Sequence, residues 1–438
     1  MRVGFLAMSG VRACDEELLR IGLTLPGFVE RSETIASLPS LGLLTLAGMT
    51  PRRFERIYVE AEDARASLDA LMDCDLVAVS FLTAQAPAAY ALMDRLRGSG
   101  VTVVAGGLHA TVLPGEVSAH ADAVVIGEGE PSWPTVLDDH ERGTLRPVYD
   151  SRERPFDLAT APMPAFELLE LDRYNRMTVQ TSRGCPWRCE FCASSILLTP
   201  RYGQKPVDRV LAEIDRICSM WKRPFLEFAD DNSFVNTAYW KRLLPELATR
   251  RVRWFTETDI SVADDPELLG LMYESGCAEV LIGLESPTPS GLPQLELRSD
   301  FKRRRQPDAL EAVRRIQSHG IRVNGCFIVG LDGHTSAVFD AIYDFVDQAA
   351  LFDAQITLPT PFPGTPMYAR LEAQGRLTHP GQWERCTLFD LNFVPSPMTS
   401  DELRTGFRSL MSRLYAAEFL EDRRARFRSL LRNRRMSA

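Results

Sequence analysis

The chain has 438 residues, with 50 basic and 59 acidic side chains and a formal net charge of −9. That length predicts two to four domains whose cores need no disulfide staples, and a composition of 45% hydrophobic and 25% charged residues excludes collagen-like, coiled-coil and wholly disordered chains. The acidic balance weighs against general nucleic-acid binding, and no run of about 18 apolar residues is present to cross a bilayer.

Residues 1–10, MRVGFLAMSG, hold one Arg and a short apolar run without a cleavage site. They read as a buried first strand rather than a signal peptide. The chain is therefore expected in the cytoplasm, where cysteines stay reduced. Apolar runs at 3–7, 56–59, 76–81, 101–105 and 123–126, with helical spacing over 86–97, predict a parallel, doubly wound α/β sheet within residues 1–148. Residues 149–172 open with a Pro-, Arg- and Asp-rich stretch of no periodicity and read as a linker. Over 173–395, strands are expected at 177–181, 225–229, 253–256, 279–282, 323–329 and 354–358. Helices are expected between them at 207–220, 238–249, 265–275, 307–319 and 337–350. Six such units predict an open, partial (β/α)6 barrel. Within it, residues 285–305 are polar, rich in Gly and Pro, and end in a basic run at 302–305. This segment reads as a mobile loop whose charge is either solvated or set to meet an anionic substrate. Residues 396–438 are expected to be helical. Their Arg-rich end reads as a solvated face, a partner contact or a disordered tail.

Nine cysteines are present, and three of them, Cys185, Cys189 and Cys192, fall within eight residues directly after the expected strand at 177–181. In a reducing compartment such a cluster points to metal or redox chemistry. Three thiolates on one loop suit three corners of a cubane iron–sulfur cluster and leave the fourth iron open. The alternative is a structural zinc knuckle, although zinc sites gather their ligands in two short pairs and no second pair exists here.

Other candidates sit at strand ends. Asp230, Asp231 and Asn232 follow the second barrel strand, where their oxygens either accept from an ammonium or cap a helix. Glu285 and Ser286 end another strand, and Gly325 and Gly330 bracket a third, where a missing side chain marks either close approach or a bulge. In the front half, Ser80, Leu82 and Thr83, then Gly106, Gly107 and His109, then Gly127 and Glu128, all lie at C-terminal strand ends, where doubly wound sheets bind ligands. No GxGxxG, P-loop or Gly-x-Ser-x-Gly elbow is present.

The CxxxCxxC spacing after a barrel strand resembles the radical S-adenosylmethionine (SAM) superfamily. Asp-Asp-Asn at 230–232 and Pro-Phe-Pro-Gly-Thr-Pro at 361–366 resemble its cobalamin-dependent branch, as do Pro-Ser-Leu-Gly at 39–42 and the paired glycines of the front half. The resemblance implies a 4Fe–4S cluster on Cys185, Cys189 and Cys192. It implies SAM beside Phe191, Asp230, Asp231, Asn232, Glu285, Ser286, Gly325 and Gly330. It implies cobalamin beside Ser80, Leu82, Thr83, Gly106, Gly107, His109, Gly127 and Glu128. The Asp-x-His-x-x-Gly motif that supplies a cobalt ligand in related domains is absent after the first strand, so the front domain is either a cobalamin site without that ligand or an empty lid. His109 reads as a tail contact or a structural residue rather than the cobalt ligand.

The implied activity is reductive cleavage of SAM to a 5′-deoxyadenosyl radical and methylation of an unactivated carbon in a small molecule or lipid. An external reductant such as flavodoxin or ferredoxin is the implied partner, with no nucleic acid. The alternatives are radical rearrangement or cyclisation without methyl transfer and, from another class, a non-catalytic cobalamin or redox sensor. Catalytic residues beyond the cofactor contacts are not assigned, and Phe362, Tyr368 and Trp383 read equally as pocket lining or core.

Overall fold

The computed structural model of the chain describes residues 1–11, 13–16, 18, 38–198 and 201–437. Two six-stranded parallel sheets organise it. The first contains β1 (Arg2–Met8), β2 (Glu55–Ala61), β3 (Leu76–Ser80), β4 (Thr102–Gly106), β5 (Ala123–Ile126) and β6 (Val148–Asp150), in the order β2-β1-β3-β4-β5-β6. The second contains β7 (Met177–Val179), β8 (Phe225–Phe228), β9 (Arg253–Thr258), β10 (Cys277–Glu285), β11 (Arg322–Ile328) and β12 (Asp353–Thr357), in sequential order and open between β7 and β12. The α/β class and the partial barrel therefore stand as the sequence reads.

The first sheet extends further than its pattern suggests. β6 lies in the stretch read as linker, and Val124, Val125 and Ile126 pair with Val148, Tyr149 and Asp150. A three-residue edge strand with one buried side chain, Tyr149, carries too little alternation to be seen in sequence. Both faces of this sheet are covered. Val77, Val79, Val103 and Ala105 point to one core, and Phe5, Ala78, Val104 and Val125 to the other. This double burial explains why the strands read as continuous apolar runs.

The barrel is wrapped by helices with amphipathic spacing. Asp265 accepts from the Leu268 N–H at 3.0 Å and Pro266 takes the first helical position, which starts the helix Pro266–Glu274 sharply. Thr399 and Glu402 form a reciprocal capping box at the start of Ser400–Leu414. Phe228, Trp240 and Trp254 pack together in the wall, with ring centroids 5.2–6.0 Å apart.

Part of the Arg-rich end is a solvated helix face, as the sequence reads, with Arg428 and Arg432 exposed, and part of it turns inward. In the helix Ala417–Ser437, Arg423 is fully buried and donates to the carbonyls of Leu351 at 2.9 Å and Leu414 at 3.0 Å. Arg426 pairs with Asp347 at 2.5 Å. Arg423 and Arg426 fasten this helix to the N-terminal rim of the barrel by satisfying carbonyls that the strand and helix ends leave open.

Candidate active site between the two sheets

β7 runs into the cysteine loop, and the Asp-Asp-Asn segment after β8 holds that loop in place. Asp230 is 3% exposed and accepts from the Thr181 N–H at 2.7 Å, the Ser182 N–H at 3.0 Å, the Thr181 hydroxyl and the Ser233 hydroxyl at 3.1 Å. Burial pushes its carboxyl above the usual range, while these donors pull the other way. Asp231 accepts from the Gly184 N–H at 2.7 Å and from the Ser194 hydroxyl at 2.5 Å, on either side of the cysteines. The Asn232 amide lies 3.9 Å from Cys185 Sγ and donates to Asp259 at 2.8 Å; the Trp187 indole N–H reaches the same Asp259 oxygen at 2.7 Å. A loop without regular pairing leaves backbone N–H groups open, and these side chains satisfy them.

From the other side, residues 285–305 cross the cysteine loop. Cys189 bridges to Glu296, Glu190 N–H donates to the Leu295 carbonyl at 2.8 Å, and Leu297 N–H donates to the Arg188 carbonyl at 2.8 Å. Phe301 stacks on Trp187 at 4.2 Å with planes 10° apart. The segment read as a mobile loop is thus a strap. Of its basic run, Arg303 and Arg304 are exposed to solvent, whereas Lys302 is paired with Glu285 at 2.5 Å, with side chains only 13% and 7% exposed. Phe191 packs with Leu292, Leu295, Ile328 and Leu331 on the inner side of the strap.

In front, a cavity of about 290 Å3 opens over the ends of β3, β4 and β5, beneath the helix Leu41–Met49 and Trp133. Ser80, Gly106, Gly107, Gly127 and Glu128 line it, as do Leu41 and Gly42. A Cβ on Gly106 would meet no side chain closer than Val125 at 3.7 Å and would simply fill the slot. Gly107 and Gly127 are needed for the backbone itself, at φ +94° and +84°. Gln180, Arg183, Ser194, Ala229 and Asp231 of the barrel form the opposite wall, so one cavity touches both sheets and the base of the cysteine loop. Arg183, two residues before Cys185, donates to Glu128 at 2.8 Å and to Glu130 at 2.5 Å.

Several expected contacts have other duties. Leu82 is 49% exposed and off the cavity. His109 is fully buried; its Nε2 faces the Tyr90 hydroxyl at 2.9 Å and its Nδ1 the Thr83 hydroxyl at 3.3 Å. Burial lowers its pKa to about 4, so it is a neutral structural imidazole, and Thr83 is its partner rather than a cavity residue. Asp230 has its oxygens occupied by the loop. Ser286 is buried against His334 Nε2 at 3.2 Å. Gly325 faces the core, where a Cβ would strike Leu351 at 2.8 Å and Leu284 at 3.0 Å. Gly330, at φ +93°, makes room for Leu403, which a Cβ would meet at 2.6 Å.

Two residues escaped the sequence reading. Glu257 projects from β9 into the open barrel, where the enclosing walls and the carboxylates of Glu227 and Asp231 push its pKa up to about 7. Asp390 is 2% exposed and accepts from the Cys14 and Asp15 N–H groups at 2.8 and 2.9 Å, which pins the loop after β1 to the rear of the chain. Neither lies in a motif. Only the outward phase of the β9 side chains, with Glu257 two residues from Phe255, carries a signal for the first.

These donors suit the implied cofactors. None of the three clustered cysteines is in a disulfide, and among the described residues no three His, Cys, Asp or Glu side chains gather closely enough for one ion. A cubane takes one thiolate per iron and spreads its ligands, so the set fits a cluster better than a single zinc. Glu227 is paired with Arg176 at 2.7 Å, and Glu257, facing the open barrel near Asp231, supplies the carboxylate that fits a cationic sulfonium compound. The glycine-edged apolar slot fits a flat nucleotide tail.

A molecule so arranged is an α/β enzyme built around two cofactor sites that face a common cleft. The family model for the radical SAM superfamily matches residues 179–346, that for the B12 binding domain matches residues 35–137, and a domain of unknown function (DUF4070) matches residues 365–438. A protein of Synechocystis sp. named as an uncharacterized methyltransferase is 33% identical over 378 residues, 83% of this chain and 68% of the relative. The bacteriochlorophyllide d C-12(1)-methyltransferase of Chlorobaculum tepidum is 29% identical over 87% of this chain and 84% of its own. The hopanoid C-2 methylase of Rhodopseudomonas palustris is 27% identical over 89% and 74%. The solved structure of the radical SAM methyltransferase TsrM from Kitasatospora setae, with cobalamin and a [4Fe–4S] cluster bound, shares the fold: TM-score 0.64, 17% identity, 95% of this chain and 89% of that one. The chain belongs to the cobalamin-dependent radical SAM family, and its cofactors are a 4Fe–4S cluster, SAM and cobalamin. Among the described residues no helix is long and apolar enough to cross a membrane.

Proposed function

We propose that this enzyme methylates an unactivated carbon of a small molecule or lipid. In this reading residues 1–148 carry cobalamin, 149–172 link, 173–395 carry the cluster and SAM, and 396–438 cap the barrel. Cys185, Cys189 and Cys192 hold three irons. Asp231, Glu257 and Glu285 surround the cationic end of SAM, and Gly106, Gly107 and Gly127 admit the cobalamin tail. When bound, the cluster with SAM supplies radical chemistry and cobalamin supplies a transferable methyl group.

The chain's own residues position and shield. Asp230 and Asp231 hold the cysteine loop against β8, and the strap of residues 285–305 covers it. Arg183 ties that loop to Glu128 and Glu130 of the cobalamin side. The helix Leu41–Met49 and Trp133 roof the slot and keep water out. The observation that carries the reading is the shared cavity, which has Gly106 and Gly107 on one wall and Arg183, Ser194 and Asp231 on the other. A low-potential one-electron donor such as flavodoxin or ferredoxin is the partner this chemistry needs.

The test is anaerobic turnover with methyl-labelled SAM, reductant, cobalamin and cell extract, read by mass spectrometry. A labelled methyl group on a carbon of the product is the expected result. A product that is ring-closed or rearranged and carries no label overturns methyl transfer in favour of the cyclase reading. That second reading has support in a relative from Cereibacter sphaeroides named as an anaerobic magnesium-protoporphyrin IX monomethyl ester cyclase, 25% identical over 86% of this chain.

A further inference from the structure

Lysine is rare in this chain, occurring at four positions, and one of the four sits beside the cysteine loop. Lys302 begins the basic run after the strap, and its N–H donates to Glu296 at 3.0 Å while Glu296 bridges to Cys189. Its ammonium turns inward, donating to Glu285 at 2.5 Å and to the Gly283 carbonyl at 3.1 Å. Gly283 leaves room for this turn, since a Cβ there would stand 2.7 Å from Glu285 Oε1 and 3.1 Å from Lys302 Nζ. Glu285 holds its side of the pair from a left-handed backbone at φ +60°, at a register shift between β10 and β11. A strained non-glycine residue persists only where its surroundings over-determine it. The Glu296 bridge to Cys189 and the stacking of Phe301 on Trp187 hold this pair against the cysteine loop, where the Lys302 cation favours the Cys189 thiolate and Glu285 and Glu296 oppose it. Buried charges act strongly because little solvent screens them.

We propose that Lys302 is a positioning residue that sets the reduction potential of the cluster through Cys189, with Glu285 as its adjustable counter-charge. One electron passes from a low-potential donor to the oxidised cluster, no bond forms or breaks, and the site becomes one unit more negative. A fixed cation beside a cluster thiolate favours that state, and protein charge near a cluster is one of the levers that set its potential. A ligand that draws Glu285 away leaves more of the ammonium's charge to the cluster and eases reduction. The strap thus links occupancy of the SAM side to the readiness of the cluster to accept an electron.

The inference rests on the reading of Cys185, Cys189 and Cys192 as cluster ligands, and the test separates the two. The full-length chain and its Lys302→Met, Lys302→Arg and Glu285→Gln variants are reconstituted anaerobically with iron and sulfide. Each is titrated with dithionite against redox dyes, without SAM, and followed by electron paramagnetic resonance. The expected midpoint potential is more negative in Lys302→Met, more positive in Glu285→Gln and unchanged in Lys302→Arg. Opposite shifts from the two halves of one ion pair follow from charge; loosened packing moves both the same way. Shifts of the same sign, or none, overturn the inference while leaving the cluster reading intact. A wild-type chain that takes up no cluster overturns both. If Lys302→Met does not reconstitute, a Glu285→Gln potential at or below wild type is sufficient to overturn it.

Discussion

The cobalamin side and the cysteine side of this enzyme are built by opposite means. The front slot is made by subtraction: Gly106 leaves a space, apolar walls from Val79, Val104 and Leu46 surround it, and little polar chemistry is needed to shape it. The cysteine loop is made by saturation: Asp230, Asp231 and Asn232 accept or donate around an irregular segment, and the strap of residues 285–305 closes its outer edge. The contrast teaches how to read side chains near a cofactor. A strand-end glycine with open space before it, such as Gly106, offers room for a ligand, whereas one filled by a side chain, such as Gly330, does not. A carboxylate near the metal loop can be engaged by the protein, as Asp230 is, or face open space, as Glu257 does.

The sharpest way to break the comparison is at the thiols. Replacing Cys185, Cys189 or Cys192 with Ala should abolish the anaerobically reconstituted iron–sulfur absorbance band, whereas Cys74→Ala should leave it unchanged. Retention of the cluster in any of the three variants sinks the ligand assignment. On the other side, Gly106→Val should cut retention of hydroxocobalamin by about tenfold or more, because the new side chain enters a slot the fold leaves open. Its thermal stability should fall by no more than about 1 kcal/mol, and equilibrium dialysis beside a melting curve reads both.

Asp230→Ala tests saturation. Four donors lose their acceptor at once, so chemical denaturation should show a loss of about 3 kcal/mol; a near-neutral result would mean that Asp230 has been given the wrong task. Glu257 offers a titration. Its pKa near 7 makes it neutral in mild acid and charged above, so SAM should bind more tightly as pH rises, by up to about tenfold between pH 6 and pH 8. The step should vanish in Glu257→Gln, as isothermal calorimetry will show. The same raised pKa acts on folding in the opposite sense: the native chain holds this proton longer than the unfolded one, so its contribution is present below the ordinary carboxylate range and fades as pH rises through about 7. The smallest effect belongs to Leu82→Ala, which should leave cobalamin retention within about twofold of wild type, since that side chain is exposed and off the cavity.

Much of this architecture is legible in one dimension. Apolar runs mark eleven of the twelve strands of the two large sheets, because parallel strands buried on both faces need continuous apolar side chains. The cysteine spacing and the glycine pairs are equally local, since a loop of three thiols and a left-handed strand end are short-range features. What escapes is whatever depends on a distant partner. β6 is a strand only because β5 lies beside it. His109 resembles a ligand until Tyr90 and Thr83 are seen to occupy both nitrogens. Gly325 and Gly330 resemble ligand contacts until Leu351 and Leu403 are seen to fill the space.

The amino-acid order alone determined the α/β class, the two-part layout and the chemistry of the metal loop, because each follows from periodicity or from residues within a few positions of one another. Only the folded chain decided which carboxylates remain open to a ligand, that Lys302 is buried against Glu285, and that Arg423 closes the barrel instead of meeting solvent. The reason is that the fate of a charge depends on what surrounds it in space: the same side chain is solvated, paired or poised according to neighbours that the sequence holds tens or hundreds of residues away.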